Sequence, residues 1–265
     1  MKHKNVKALL SFTIALFLFC SCSHLYEPAL YHQDIAYQPK PASFDSIKTA
    51  NYVSAGYDAN SNSNLNDFVQ SGQIDVSRAH TFSFMNLSYG AFGVLGDYQS
   101  DQSNTKAASY FTHKFFGNIG GRFSANAYTS SGNADIRFIG VEAAYSHEFG
   151  GYANFRQNLY NKPGYYVDPT TNLLTIGLTS EVIFHNRDDV GFQNGIRVFL
   201  GTTLGDNHVS DFYNNASFGQ VNIFSMLTFS SLNIFPKASY FMKFKNYFWS
   251  VEAGNAVMLR FGYAF

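Results

Sequence analysis

Leu174-Thr175-Ile176-Gly177-Leu178-Thr179-Ser180-Glu181-Val182-Ile183-Phe184 carries its apolar residues on alternate positions. Leu174, Ile176, Leu178, Val182 and Phe184 fall with Ser180 on one face, and Thr175, Gly177, Thr179, Glu181 and Ile183 fall on the other. A period of two belongs to a β-strand, whose successive side chains point to opposite sides of the sheet. The pattern recurs in Ile119 to Ala127, where Ile119, Gly121, Phe123, Ala125 and Ala127 alternate with Gly120, Arg122, Ser124 and Asn126. It recurs again in Phe192 to Thr202, where Ile196, Val198 and Leu200 alternate with Gln193, Gly195, Arg197, Phe199 and Gly201. Each stretch has an apolar side and a side of glycine, small and polar residues. Candidate strands of about nine to fourteen residues exceed the usual soluble strand and suit a steep crossing of an outer membrane.

Outward from these stretches, spans of the same kind start near residues 51, 80, 91, 106, 118, 135, 151, 174, 190, 217, 237, 247 and 256, some being halves of one strand. Clusters of Gly, Asn, Asp and Ser separate them, which is antiparallel β organisation. No amphipathic helix is expected after residue 50. The chain has 265 residues, 18% of them aromatic and only 14% charged, with 18 basic and 18 acidic groups. That balance lacks the basic excess of a nucleic-acid binder and the polar bias of a disordered chain. Tyr89, Tyr98, Tyr128, Tyr145, Tyr160, Tyr247 and Tyr263 fall near expected strand ends, as the aromatic girdles of a membrane barrel would. A soluble lipid-anchored sandwich is the competing reading, and strand length and aromatic content weigh against it.

The first residues are set apart from the fold. Lys2, Lys4 and Lys7 precede an apolar run from Ala8 to Cys20, too short to span a bilayer and suited to a signal peptide. Without residues 1–21 the body carries a small acidic excess. Cys20 and Cys22 are the chain's 2 cysteines, so the body contains neither a disulfide framework nor a cysteine metal site. The string Leu18-Phe19-Cys20-Ser21-Cys22-Ser23 resembles the lipobox of bacterial lipoproteins, with Ser21 before Cys22 fitting and Phe19 departing from the strict leucine. The resemblance implies an acylated Cys22 at the mature N-terminus. Residues 22–49, with Pro28, Pro39 and Pro41 among Tyr26, Tyr31 and Tyr37, show no repeating apolar face. They read as a tether or plug packed on or inside the body, with partner binding as the alternative.

The chain ends Ala256-Val257-Met258-Leu259-Arg260-Phe261-Gly262-Tyr263-Ala264-Phe265, with Val257, Leu259, Phe261, Tyr263 and Phe265 on one face. This resembles the C-terminal β-signal of outer-membrane proteins, which implies that Phe261, Tyr263 and Phe265 are read by the barrel assembly machinery. With the leader, the chain resembles small-porin-type outer-membrane barrels that carry a lipoprotein signal. The expected fold is all-β: a closed antiparallel up-and-down transmembrane β-barrel of ten strands, with eight or twelve as alternatives, spanning 50–265.

If the apolar faces meet lipid, the lumen receives Arg122, Arg197 and Arg260 with Glu142, Glu181 and Glu252. Desolvated charges must pair, so these six are expected to form a salt-bridged filling, with a pore constriction as the alternative. Catalysis is not expected. His208-Val209-Ser210 resembles the His-x-Ser arrangement of lipid A deacylase barrels, but Gly205, Asp206 and Asn207 place it in a loop, with Asp211 the nearest third member. His185-Asn186-Arg187-Asp188-Asp189 reads as a solvated turn rather than a metal or protease site, and His147 and Glu148 point to opposite faces. Gly117 to Gly121 and Gly150-Gly151 are not expected to open helices, so no phosphate cradle and no cofactor is implied. The function classes are an accessory or structural envelope barrel, a diffusion channel, and a lipid-modifying enzyme. The expected partners are outer-membrane lipid, the assembly machinery and an envelope protein met through loops or tether, with no nucleic acid. Loops around Gly96 to Ala107, Tyr160 to Asn172 and Gly205 to Ser217 are expected to face outward.

Overall fold

The computed structural model describes residues 24–61, 67–100, 111–162, 165–185, 191–204 and 234–265. In chain order the elements are β1 (His24–Tyr26), β2 (Thr49–Ser61), β3 (Phe68–Thr81), β4 (Met85–Gln99), β5 (Lys114–Ser131), β6 (Ala134–Phe149), α1 (Gly151–Leu159) and β7 (Tyr165–Val167). They continue with β8 (Asn172–His185), β9 (Phe192–Leu204), β10 (Phe235–Phe244), β11 (Tyr247–Ala253) and β12 (Val257–Ala264). Among the described residues ten strands, β2 to β6 and β8 to β12, form a closed barrel in sequence order. All its pairings are antiparallel, and the seam closes where Leu259 of β12 meets Tyr57 of β2. β1 and β7 pair separately and in parallel. Closure removes the sheet edges that would otherwise have to be covered.

The polarity of the wall is the reverse of a soluble protein's. Ile74, Ile119, Leu178, Ile196, Leu200 and Leu259 stand on the outside, with Ile74 62% and Leu178 56% exposed. Arg122, Arg197, Arg260, Glu142, Glu181 and Glu252 lie inside, each at most 4% exposed. The alternation traced in 119–127, 174–184, 192–202 and 257–265 keeps the same phase in the barrel.

Three expected spans differ. The spans near 80 and 91 are the end of β3 and the middle of β4, and β3 begins at Phe68. Its outward face carries Gln70, Gly72, Arg78 and His80 around Ile74 and Val76, so only its centre shows an apolar phase. The span near 151 is the helix α1 instead. Tyr152, Arg156 and Leu159 form its buried stripe, and the guanidinium in the middle hides the helical apolar period. Gly150-Gly151 thus does lead into a helix; Gly150 sits at its N-cap with φ 109°, in the left-handed region that favours glycine.

In β6 the register slips between Arg137 and Gly140, a β-bulge that leaves Phe138 and Ile139 both facing outward. The inward phase therefore changes from Asp135 and Arg137 to Glu142, Ala144, Ser146 and Glu148. Phe199 lies flat inside the wall over the neighbouring glycines, and a Cβ added at Gly201 would overlap its ring and the Ile176 carbonyl. Gly201→Val is expected to lower stability by about 1–3 kcal/mol through overpacking. Urea titration of the detergent-solubilised protein checks it.

Candidate functional site

The lumen is occupied by the chain's own N-terminal segment, in which residues 25–42 are all buried. Its backbone carries the polar groups that an extended chain cannot satisfy by itself, and the wall supplies their partners. Near the β6–β8 connection, Ala29 N donates to Glu148 at 2.7 Å. Deeper, Arg122 Nε donates to Asp34 O at 2.6 Å and Thr175 Oγ1 to the Asp34 carboxylate at 2.6 Å. Lys237 Nζ donates to Ile35 O at 2.6 Å. Tyr37 is held on both sides, its N–H donating to Glu252 at 3.0 Å and its carbonyl accepting from Arg260 at 2.6 Å. Towards the other mouth, Arg137 Nη2 reaches Pro41 O at 3.1 Å and Thr81 Oγ1 reaches the same oxygen at 2.6 Å. The segment leaves past Asp45, which accepts from Gln193 at 2.6 Å and pairs with Lys243 at 3.0 Å.

The same wall groups pair with one another. Arg197 binds Glu142, with Nε donating at 3.0 Å, and stands 3.8 Å from Glu252. Glu252 also pairs with Arg260. Of the six lumen charges expected from the sequence, Arg197, Arg260, Glu142 and Glu252 are thus joined directly. Arg122 and Glu181 are not part of that group: Arg122 pairs with Asp75, and Glu181 pairs with Arg137 at 2.8 Å. Asp75 and Arg137 were not singled out in the sequence. Asp75 alternates with Ile74 and Val76, a signal confined to three residues, whereas Arg137 sits beside the bulge where the period slips. Lys237 was likewise missed; it follows Pro236 at the start of β10.

The interior was expected to be occupied mostly by side chains, with residues 22–49 a tether or plug on or inside the body; in the structure the main chain of residues 25–42 lies inside. Eight strands leave an interior just wide enough for side chains. Ten leave a wider bore, and here a stretch of main chain occupies it, so the charges bind the segment's backbone as well as each other. Two gaps between segment and wall, one of them lined by Tyr37, Tyr52, Arg122 and Arg260, have cavity volumes of about 10 Å³ each, roughly one water.

At the mouth of the β6–β8 connection, α1 closes over the segment. Tyr152 donates to Glu27 O at 2.9 Å and stacks on Tyr98 with ring centroids 4.0 Å apart. Tyr98, expected in an outer girdle, is instead buried and donates to Asp67 at 2.7 Å. Arg156 of α1 pairs with Glu148 at 2.7 Å; burial would lower its pKa, and the facing carboxylate raises it above the ordinary value. Tyr247 and Tyr263 do stand on the outside as an edge-to-face pair 5.1 Å apart, and Phe261 and Phe265 are exposed beside them. His147 is exposed and Glu148 buried, on opposite faces of β6.

Several candidate residues lie outside the described residues: the leader 1–21, Cys22, Asn186 to Asp189, and His208 to Asp211. Among the described residues no group of three or more His, Cys, Asp or Glu is arranged to hold a metal ion.

No family model and no curated protein matches the chain. Solved structures do. The transport unit of the autotransporter AIDA-I from Escherichia coli aligns at 8% identity and TM-score 0.37, covering 86% of this chain and 93% of that one. An outer membrane channel from Pseudomonas putida F1 aligns at 9% and 0.36, covering 86% and 100%. The outer membrane protein OprG from Pseudomonas aeruginosa aligns at 11% and 0.32, covering 82% and 97%.

Proposed function

We propose that this chain is a lipid-anchored outer-membrane β-barrel that serves, without catalysis, as a structural or accessory component of the cell envelope. The observation that carries the reading is the inverted wall, with Leu178, Ile196, Leu200 and their neighbours outside and paired charges inside. In water, so wide an apolar belt would drive aggregation; in a bilayer it replaces lipid contacts at no cost. The threaded lumen favours an accessory role over an open diffusion channel, since the space a solute would use is held by main chain. An acylated Cys22 supplies a second hold on the membrane, each buried methylene contributing about 0.8 kcal/mol. The partners in this reading are outer-membrane lipid, the assembly machinery acting on Phe261, Tyr263 and Phe265, and an envelope protein met through the connections.

Leu178→Arg separates this reading from a soluble barrel. In a membrane the charge near the middle of β8 is expected to cost about 2–4 kcal/mol, whereas an exposed position of a soluble protein would change by under roughly 0.5 kcal/mol. Folding into vesicles, followed by the faster migration of the unboiled band, measures it. Wild type should show the heat-dependent shift and resist carbonate extraction, and the N-terminal peptide should carry acyl mass on Cys22. Release by carbonate, with no shift, sinks the membrane reading.

A further inference from the structure

We infer that the N-terminal segment threads the barrel from one mouth to the other and delivers the Cys22 end of the chain to the outer-surface mouth, opposite the C-terminus. The inference rests on the outer-membrane reading above for the word "outer"; the separation of the two ends does not.

The connections define the mouths. At one end they are short, 82–84, 132–133, 186–191 and 245–246, and the same end holds Thr49 of β2 and the C-terminal Phe265. At the other they span 62–67, 100–113, 150–171, 205–234 and 254–256. Outer-membrane barrels keep short turns on the periplasmic side and longer loops outside. The hydrogen bonds to the segment run in order between these ends. Ser43 N donates to Asp135 next to the 132–133 turn, Pro41 and Tyr37 are held further in, and Ala29 is held by Glu148 at the far end of β6. Beyond Ala29, β1 pairs with β7 of the 150–171 connection, Asp168 N donates to Tyr26 O at 2.9 Å, and the Tyr26 ring meets Phe155 of α1 edge-on at 5.1 Å.

Chain length excludes a return. Cys22 lies two residue steps before His24, a reach of about 7 Å. The apolar wall is about 25 Å tall. The described chain thus begins, at His24, at the long-connection mouth, where Leu95, Phe115 and Phe149 expose an apolar patch on the adjoining outer wall. An acyl anchor there enters the outer leaflet from the cell surface, the reverse of a lipoprotein held at the periplasmic face. The barrel thereby displays its own N-terminus.

The test uses the full chain produced in a Gram-negative host, with an epitope tag inserted after Ser23 or within the 82–84 turn. On intact cells the tag after Ser23 should bind antibody fully, and the turn tag only after the outer membrane is permeabilised. As a second measurement that spares the fold, Ser23→Cys and Phe82→Cys are labelled with a membrane-impermeant maleimide, each variant being checked for the heat shift. Labelling of position 23 that requires permeabilisation, in a heat-shifting protein, overturns the threading. Identical labelling of both positions in a protein without the heat shift overturns the membrane reading itself, and the two failures are thus told apart.

Discussion

Deleting residues 24–42 is expected to turn a silent barrel into a conducting pore. The wall does not depend on these residues for closure, because every pairing from β2 around to β12 is made between barrel strands. What the segment supplies is occupancy: its buried main chain runs through the bore, and two of the gaps beside it are water-sized. Once it is gone, Arg122, Arg137, Arg260 and Lys237 lose their carbonyl partners, and water entering the lumen replaces them. Wild-type protein in a planar bilayer should pass no steady current, and the deletion variant should give stepwise openings. The bore it exposes carries Asp58, Asp75, Asp135, Glu142, Glu148, Glu181 and Glu252 against Arg122, Arg137, Arg156, Arg197, Arg260, Lys237 and Lys243, a near balance of the two signs. A folded, heat-shifting deletion variant that stays silent would mean that the bore is sealed by the wall's own side chains, and the segment would lose its role as the plug.

The parts of this arrangement that could be read in advance are those that depend on local periodicity. A strand's two faces are declared by neighbours two residues apart, so the phase of Glu181, Arg197 and Arg260 follows from the residues flanking each. The same local rule fails where one extra residue is inserted, as at Phe138-Ile139, because every position beyond the bulge changes face and Arg137 becomes hard to place. It fails again in α1, whose inward stripe is built around Arg156 rather than an aliphatic side chain. That residues 22–49 are a tether or plug on or inside the body was legible, but which of these, and by what contacts, was not, for a different reason. The segment's recognition runs through backbone carbonyls and N–H groups, which every residue has, so nothing in Ile35, Tyr37 or Pro41 as residue types announces a partner on the wall. The signal lay in the wall instead: ten strands make a bore wider than side chains fill.

Glu252 is where this logic can be tested most sharply, because it joins wall to wall and wall to plug. It is fully buried, pairs with Arg260, accepts from the Tyr37 N–H and from Ser239 Oγ at 3.2 Å, and lies 3.8 Å from Arg197. Glu252→Ala leaves the Arg260 guanidinium buried without its carboxylate and removes the acceptor from the Tyr37 amide. The expected loss is about 3–5 kcal/mol, the cost of breaking a buried pair by deleting one member. Arg260→Met should cost a comparable amount alone, since Glu252 is then left with Arg197 at longer range. The double variant is expected to lose less than the two single losses combined, with a coupling of about 0.5–3 kcal/mol, because neither partner is then stranded. Urea midpoints in detergent micelles give all three numbers, and planar-bilayer recording of the same variants reads the plug. If Tyr37 is anchored through Glu252, the Glu252→Ala barrel should flicker open where wild type is silent. A destabilised variant that never conducts would make Glu252 a wall residue only, with the segment's hold resting on Arg122, Lys237 and Arg137.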